Sequence, residues 1–438
     1  MNTVGYAIEN RFIGSIHDFS ISLILFLIFF IVLKKFIERN NLNINLVIGI
    51  VLYRLLIFLF MILYSAKVGS FDGHGIYNIA GPEYLSEFVG LNLKSFTGSA
   101  FISQILRPLV GYLNMSYISI SLIFFYLGTF GVLFCLQIYR KLNLSSIYVK
   151  FFVVAFCFNP SLHIFTASLT KDAIIFFITM FIFYIYYVEQ FEIKKLLLYS
   201  FVSVLIIYFI RPYAGGVMFA SILPYYILSM TKININKIIV SFLLIILTSM
   251  IFIISKDLYA WTHGGTFFGE LIKFIEQRQN VTDVGGTSLN YKNGEIFIRF
   301  FQSIFGLGVA KSGFFAPVFL YDQILSIYLF LLLIFCKFNS FKNIKNFYFK
   351  DFKYIKFFLI YALGLYLICS LSLSNFGLIL RIKLMYWPII IFFIISLFKT
   401  NEHSKPSQHN TRHPDDHTRR RNHHRGQHRH HRRACRGR

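Results

Sequence analysis

The sequence predicts an all-α fold, a polytopic transmembrane helical bundle of about eleven helices with two extended extracytoplasmic loops and a disordered C-terminal tail. Composition is the first reason: 56% of the 438 residues are hydrophobic and 19% aromatic against 14% charged, with a mean hydropathy of +0.62. A water-soluble domain this apolar would aggregate. Second, the apolar residues fall into runs near the ~20 residues that cross a bilayer. Third, Lys and Arg gather in alternate connections between those runs, the pattern of cytoplasmic loops.

The candidate spans lie near 17–33, 45–65, 116–139, 147–162, 172–188, 196–210, 214–230, 238–255, 321–337, 357–372 and 383–398. The first is preceded by neither a basic region nor a small-residue cleavage site, so it reads as a retained helix. Basic connections follow in turn: Lys34, Lys35 and Arg39; Arg140, Lys141 and Lys150; Lys194 and Lys195; Lys232 and Lys237; and the cluster from Lys337 to Lys356. Alternate loops then face the cytoplasm, with the N-terminus outside and the C-terminus inside. Under this topology the long loops 66–115 and 256–320 are both extracytoplasmic. The first holds the polar run Ser70 to Tyr77 and a re-entrant piece around 101–113 that includes Arg107-Pro108; the second holds an amphipathic stretch at 267–275 and a Gly285-Gly286 turn. No internal repeat is visible, so the inverted-repeat signature of many secondary transporters is missing. Cys135, Cys157, Cys336 and Cys369 lie singly in apolar runs, where thiols act as small hydrophobes, and no disulfide framework is indicated.

From about Asn401 the chain loses its Phe, Ile, Leu and Tyr and becomes His, Arg, Pro and Asp, a composition that stays disordered. Its residue types are ones with G/C-richer codons, whereas the Phe, Ile, Asn, Tyr and Lys common in the body have A/T-rich codons, which fits a frameshifted or foreign end. A metal-binding cluster (His423, His424, His428, His430, His431) or a tail for anionic lipid is the alternative. The formal charge of +24 is split between short loops and this tail. It therefore reads as membrane topology and not as a nucleic-acid face.

Six cations break the topological pattern: Arg54, Arg107, Lys171, Arg211, Arg299 and Arg381 sit inside or at the outer ends of apolar runs. A charge near the hydrocarbon centre costs roughly 2.5–3.5 kcal/mol on insertion scales and is tolerated where it faces a polar cavity or a fixed anion. Together they point to an anionic substrate. Arg54 lies mid-run and cannot snorkel, so it needs a carboxylate or a substrate as partner. Arg211-Pro212-Tyr213 joins two apolar runs with almost no loop, so Arg211 either lines a cavity or snorkels. The stretch from Asn159-Pro160-Ser161 to Lys171-Asp172 breaks one helix and caps the next; it is either a solvated turn or an anion-binding helix start. Arg299 and Arg381 are further outer-face guanidiniums, suited to bidentate contact with phosphate.

For acid or base chemistry the sequence offers Asp72 and His74 first, with Glu83, Glu87, His163, Asp172, Asp257, His263, Glu270 and Asp283 behind them. Asp72 and His74 are equally consistent with a solvated loop. Phosphate-cradling Gly-Lys-Ser/Thr, His-Glu-x-x-His, Gly-x-Ser-x-Gly and Cys-x-x-Cys patterns are missing, which argues against an ATP-driven pump or a zincin and implies no cofactor and no metal.

With Asn159-Pro160-Ser161 through Lys171-Asp172, Arg211-Pro212, and Asn375-Phe376-Gly377 with Arg381, the chain resembles the bacterial O-antigen and capsular polysaccharide polymerases over about residues 15–400. That resemblance implies a multi-pass inner-membrane enzyme that joins undecaprenyl-pyrophosphate-linked oligosaccharides at the periplasmic face. Its partners would be membrane lipids and a chain-length regulator. The arginines would hold pyrophosphate, Asp72 or His74 would deprotonate the acceptor hydroxyl, and Tyr77, Tyr84, Trp261 and Phe267 would stack on sugar rings. The layout also resembles integral-membrane glycosyltransferases that use polyprenyl-phosphate sugars, where an acidic residue of the first outer loop is the base. A flippase of lipid-linked oligosaccharide is the remaining expectation.

Overall fold

A computed structural model describes residues 16–68, 72–80, 98–142, 144, 146–230, 316–335, 356–372 and 376–396. Internal contacts divide the chain into Met1–Lys399 and Thr400–Arg438, the second lying outside the described residues. The described residues are helical and contain no strand. In order they form α1 (Ile16–Asn40), α2 (Ile44–Val68), α3 (Asp72–Ala80), α4 (Ser99–Arg107), α5 (Tyr117–Arg140), α6 (Ile147–Cys157), α7 (Pro160–Ile164), α8 (Lys171–Tyr184), α9 (Ile193–Ile210), α10 (Pro212–Met230), α11 (Ala316–Phe335), α12 (Lys356–Ser372) and α13 (Phe376–Ser396). Single π-helical turns extend α4 over Pro108–Tyr112 and α8 over Ile185–Glu189.

Among the described residues seven stretches are long and apolar enough to cross a membrane, Ile16–Asn40, Ile44–Lys67, Tyr117–Arg140, Ile147–Ile164, Lys171–Glu189, Ala316–Ile334 and Leu378–Ser396. The chain is a multi-pass membrane protein by that count. The span expected at 238–255 lies outside the described residues. The first long loop is not plain loop: it carries α3 and α4, each 9 residues and too short to span. The piece expected around 101–113 is helical, α4 with its π turn. At the far end of the second loop, α11 begins at Ala316, inside the segment expected to be loop.

Burial sorts the helices. The apolar window of α1 is 17% buried, whereas those of α5 and α13 are 72% and 78% buried, so α1 lies at the periphery and α5 and α13 at the centre. On α2, Leu52, Leu56, Leu59 and Leu63 are exposed at helical spacing while Val47, Ile50, Phe58, Met61 and Ser65 are buried on the other side. One face of α2 thus meets lipid and the other the bundle. Asp18, in the first turn of α1, reaches across to accept the Ser116 N–H at the start of α5 (3.0 Å), and Ser22 meets Ser119 Oγ at 2.6 Å. Asp18 therefore helps to fasten α1 to α5.

The opposite ends of these helices meet in a basic region. Arg39 pairs with Glu189, Tyr184 Oη donates to Asn40 Oδ1 (2.9 Å), Arg140 donates to the carbonyl of Asn40 (2.6 Å), and Lys141 Nζ donates to that of Val188 (2.7 Å). Lys and Arg here satisfy carbonyls that helix C-termini leave without donors. Lys34, Lys35, Lys150, Lys194 and Lys195 are exposed around them.

Between α6 and α8 the chain stops being a regular helix while still inside the bundle. Pro160 has no N–H to continue α6; Asn159 caps α7, its Oδ1 accepting from Ser161 N–H at 3.0 Å. Residues 161–170 are all buried. Irregular backbone at membrane depth needs protein partners, since lipid supplies no hydrogen bonds. Arg54 supplies them. Its Nε donates to Thr129 Oγ1, Nη1 to Thr166 Oγ1 and to His163 Nδ1, and Nη2 to the Thr166 carbonyl, each at 3.0 Å, with Phe125 O at 3.4 Å. A guanidinium only donates, so His163 Nδ1 accepts and Nε2 carries the hydrogen, which it donates to Cys157 O at 2.7 Å. Among the described residues Arg54 meets no carboxylate: neutral acceptors take all five of its N–H groups. Gly128 permits this, since a methyl group there would run into the Thr166 carbonyl and the Arg54 guanidinium.

Arg54→Met strips donors from several buried acceptors at about 1–3 kcal/mol each. It should lower stability by about 3 kcal/mol or more, read as thermal unfolding of the detergent-solubilised chain. A midpoint equal to that of the parent would contradict this role. Gly128→Ala should fail in the same assay for the steric reason.

Candidate functional site

The buried turn at 165–170 ends at a carboxylate that gathers two of the outlying cations. Thr170 caps α8, its Oγ1 accepting from Ala173 N–H (3.3 Å) and donating to Phe165 O (2.6 Å). Asp172 follows in the first turn, where a negative charge complements the helix dipole, and is 1% exposed. Arg211 holds an extended conformation between α9 and α10, its N–H still donating to Ile207 O at 2.7 Å, before Pro212 opens α10. Its guanidinium pairs with Asp172 Oδ1, and its Nη1 donates to Tyr213 Oη at 2.6 Å. From α13, Arg381 brings Nε to 3.4 Å from Asp172 Oδ2 and lies over the Phe165 ring, 5.5 Å from its centroid. One carboxylate thus sits between two guanidiniums, the three groups coming from three parts of the bundle.

A second buried pair ties the same helix, α13, to α11. Lys383 Nζ is 2.6 Å from Asp322 Oδ2 of α11, donates to Ser326 Oγ (3.2 Å) and faces the Trp387 ring at 4.6 Å. Asn159 Nδ2 donates to the other oxygen of Asp322 at 3.0 Å. Asp322 was not singled out in the sequence, although a lone carboxylate within the apolar run of α11 was the available signal. The last helix begins at Phe376 and not near 383 as the apolar run suggested, so Arg381 and Lys383 are set inside it.

The remaining expected residues are distributed around this centre. Asp72 and His74 occupy the first turn of α3. Gly73 between them is buried against the Leu169 carbonyl and the Tyr117 hydroxyl, so closely that a methyl group would collide with the carbonyl. That contact places the start of α3 on the turn that leads into Asp172. Lys171, the residue before Asp172, and Arg107, the last of α4, are both partly buried. The α4 helix sits beside the end of α9, with Gly98 N–H donating to Phe209 O (2.7 Å) and Phe101 stacked on Phe209 at 5.0 Å between centroids. Tyr77 is 3% exposed; its hydroxyl donates to Met115 O (2.9 Å) and its ring meets Tyr117 edge-on at 5.8 Å. That ring is used for packing and presents no open face to a sugar. Arg299, Tyr84, Trp261, Phe267, Glu83, Glu87, Asp257, His263, Glu270, Asp283 and the His-rich tail lie outside the described residues.

Chemically, the Asp172 centre suits an anion. Two guanidiniums share a single carboxylate at the positive end of α8, with the Lys171 residue adjoining it. The Nε of Arg211 and the Oγ of Ser168 are buried and have no hydrogen-bond partner among the described residues. The described residues assemble no group of three or more His, Cys, Asp or Glu side chains that could hold a metal ion.

Asp172→Ala leaves Arg211 buried without its carboxylate and should destabilise the chain by about 3–5 kcal/mol, read by thermal unfolding in detergent. Gly73→Ala should be milder in that assay, because α3 can move away from the turn. Its signature is greater protease sensitivity of α3 at nearly unchanged global stability, and wild-type resistance would show that the close approach is dispensable. No family model, no curated protein and no solved structure matches this chain.

Proposed function

We propose that this chain is a polysaccharide polymerase that joins oligosaccharide units carried on a polyprenyl pyrophosphate, undecaprenyl pyrophosphate in a bacterial inner membrane. The observation that carries the reading is the pair of guanidiniums, Arg211 and Arg381, gathered on Asp172 at the start of α8 with the first turn of α3 pressed onto the same turn. A cation pair at the end of an apolar bundle matches a ligand with an anionic head and a lipid tail.

In this reaction an acceptor sugar hydroxyl attacks the anomeric carbon of the donor sugar. The new C–O bond forms as the bond from that carbon to the pyrophosphate oxygen breaks, and the pyrophosphate departs with the electron pair on its lipid. Arg211 and Arg381 stabilise the charge that develops on the leaving group. Asp72 or His74 takes the hydroxyl proton. Arg54, saturated by the protein, acts as scaffold; Lys171, Arg107 and Arg299 are the further cations available to the second pyrophosphate. The exposed lysines at the Arg39 end support a cytoplasmic side there, and on this reading the Asp172 centre works at the periplasmic face.

The test is the cell-surface polysaccharide of cells lacking the gene. A polymerase deletion leaves lipid A core carrying a single repeat unit, whereas bare core indicates a sugar transferase or a flippase of the lipid-linked unit, and an unchanged ladder removes the reading altogether. In complemented cells, Arg211→Gln and Arg381→Gln should each reduce polymer at least about a hundredfold, some 2.7 kcal/mol of lost stabilisation, while the protein remains in the membrane. Normal ladders from both variants would make the cations structural.

A further inference from the structure

The geometry points to Asn159, Asp322 and Lys383 as positioning residues that set the rotation of α13 and so hold Arg381 toward the anion site. This rests on the reading of Arg211 and Arg381 as ligands for a pyrophosphate. Arg381 and Lys383 are two residues apart, about 200° around a helix, so they leave α13 on different sides and reach different partners. On one side Arg381 meets Asp172 of α8; on the other Lys383 meets Asp322 of α11.

The second pair is closed on itself. Lys383 has Asp322 Oδ2 at 2.6 Å, Ser326 Oγ at 3.2 Å and the Trp387 ring at 4.6 Å, while Asn159 occupies the other oxygen of Asp322 at 3.0 Å. Lys383 and Asp322 are each 2% exposed. A buried ammonium that loses its carboxylate is left uncompensated in an apolar interior, which strongly disfavours that state. Rotation of α13 that keeps Lys383 paired is therefore narrow, and Arg381 inherits that restriction. Asn159 extends it to the turn, because the residue that braces Asp322 also caps α7, from which the chain runs on to Phe165 and Asp172. The pair is thus suited to aim a neighbouring cation.

The test is binding of inorganic pyrophosphate to the full chain in detergent by calorimetry, with thermal unfolding of each variant in parallel. Asp322→Asn combined with Lys383→Met removes both charges together and leaves no orphan. It should keep the unfolding midpoint within a few degrees of the parent while weakening pyrophosphate binding about tenfold or more. Lys383→Arg, which retains the charge toward Asp322, should recover most of the affinity. A neutral double variant that binds as tightly as the parent overturns the positioning role and leaves the reading of the site intact. A parent chain that does not bind pyrophosphate, or binds it equally well with Arg211→Gln and Arg381→Gln, overturns both. Should the neutral pair fail to fold, Ser326→Ala removes one acceptor from Lys383 without stranding a charge; it should bind about threefold more weakly at unchanged stability, and parental affinity would overturn the proposal.

Discussion

The constraint on which the rest depends is the break between α6 and α8, where only the single turn α7 is helical and residues 161–170 are all buried in the bundle. In such surroundings each unpaired N–H or C=O costs several kcal/mol, so the turn exists only because a side chain was placed to receive it. Arg54 does so from mid-α2, with five donors against hydroxyls, carbonyls and an imidazole. The charge itself has no carboxylate beside it among the described residues. It is solvated by protein dipoles, as an ion in a polar cavity is by water.

Once this turn is held, its two ends become fixed points for other parts of the chain. At one end Asn159 caps α7 and braces Asp322 on α11. At the other, Thr170 caps α8 and presents Asp172 to Arg211 and Arg381. Helix α13 is tied to both ends through residues two apart, and lower down Tyr139 Oη donates to the carbonyl of its Pro388 at 2.6 Å. The buried polar groups therefore form a chain of contacts from α2 through the turn to α13, and a neutral substitution at one link affects what the next can reach.

Much of this was legible in the residues. The apolar runs gave most helix positions to within a few residues, and Pro160 and Pro212 marked two real breaks. Arg54, Arg211, Arg381 and the 159–172 stretch stood out because cations and polar groups in apolar runs must have a compensating partner. Asp322 obeys the same rule, but a single carboxylate in the apolar run of α11 carries no sign of its partner, Lys383, which lies 61 residues further on. The last span, expected from 383, begins at Phe376, because with Arg381 and Lys383 paired to Asp172 and Asp322 the helix continues through both cations.

The sequence by itself determined that the chain is an all-helical, multi-pass membrane protein whose misplaced cations need partners, because hydropathy and the cost of a buried charge act on each segment independently of the others. Only the tertiary structure decided which partner each cation takes. Arg54 and Arg211 have the same side chain, yet one meets neutral acceptors and the other a carboxylate, and that depends on which turn of a distant helix lies within about 3 Å, the reach of a hydrogen bond. The same holds for Gly73 and Gly128: as letters they are two glycines among many, and their necessity comes from the Leu169 and Thr166 carbonyls that fold against them.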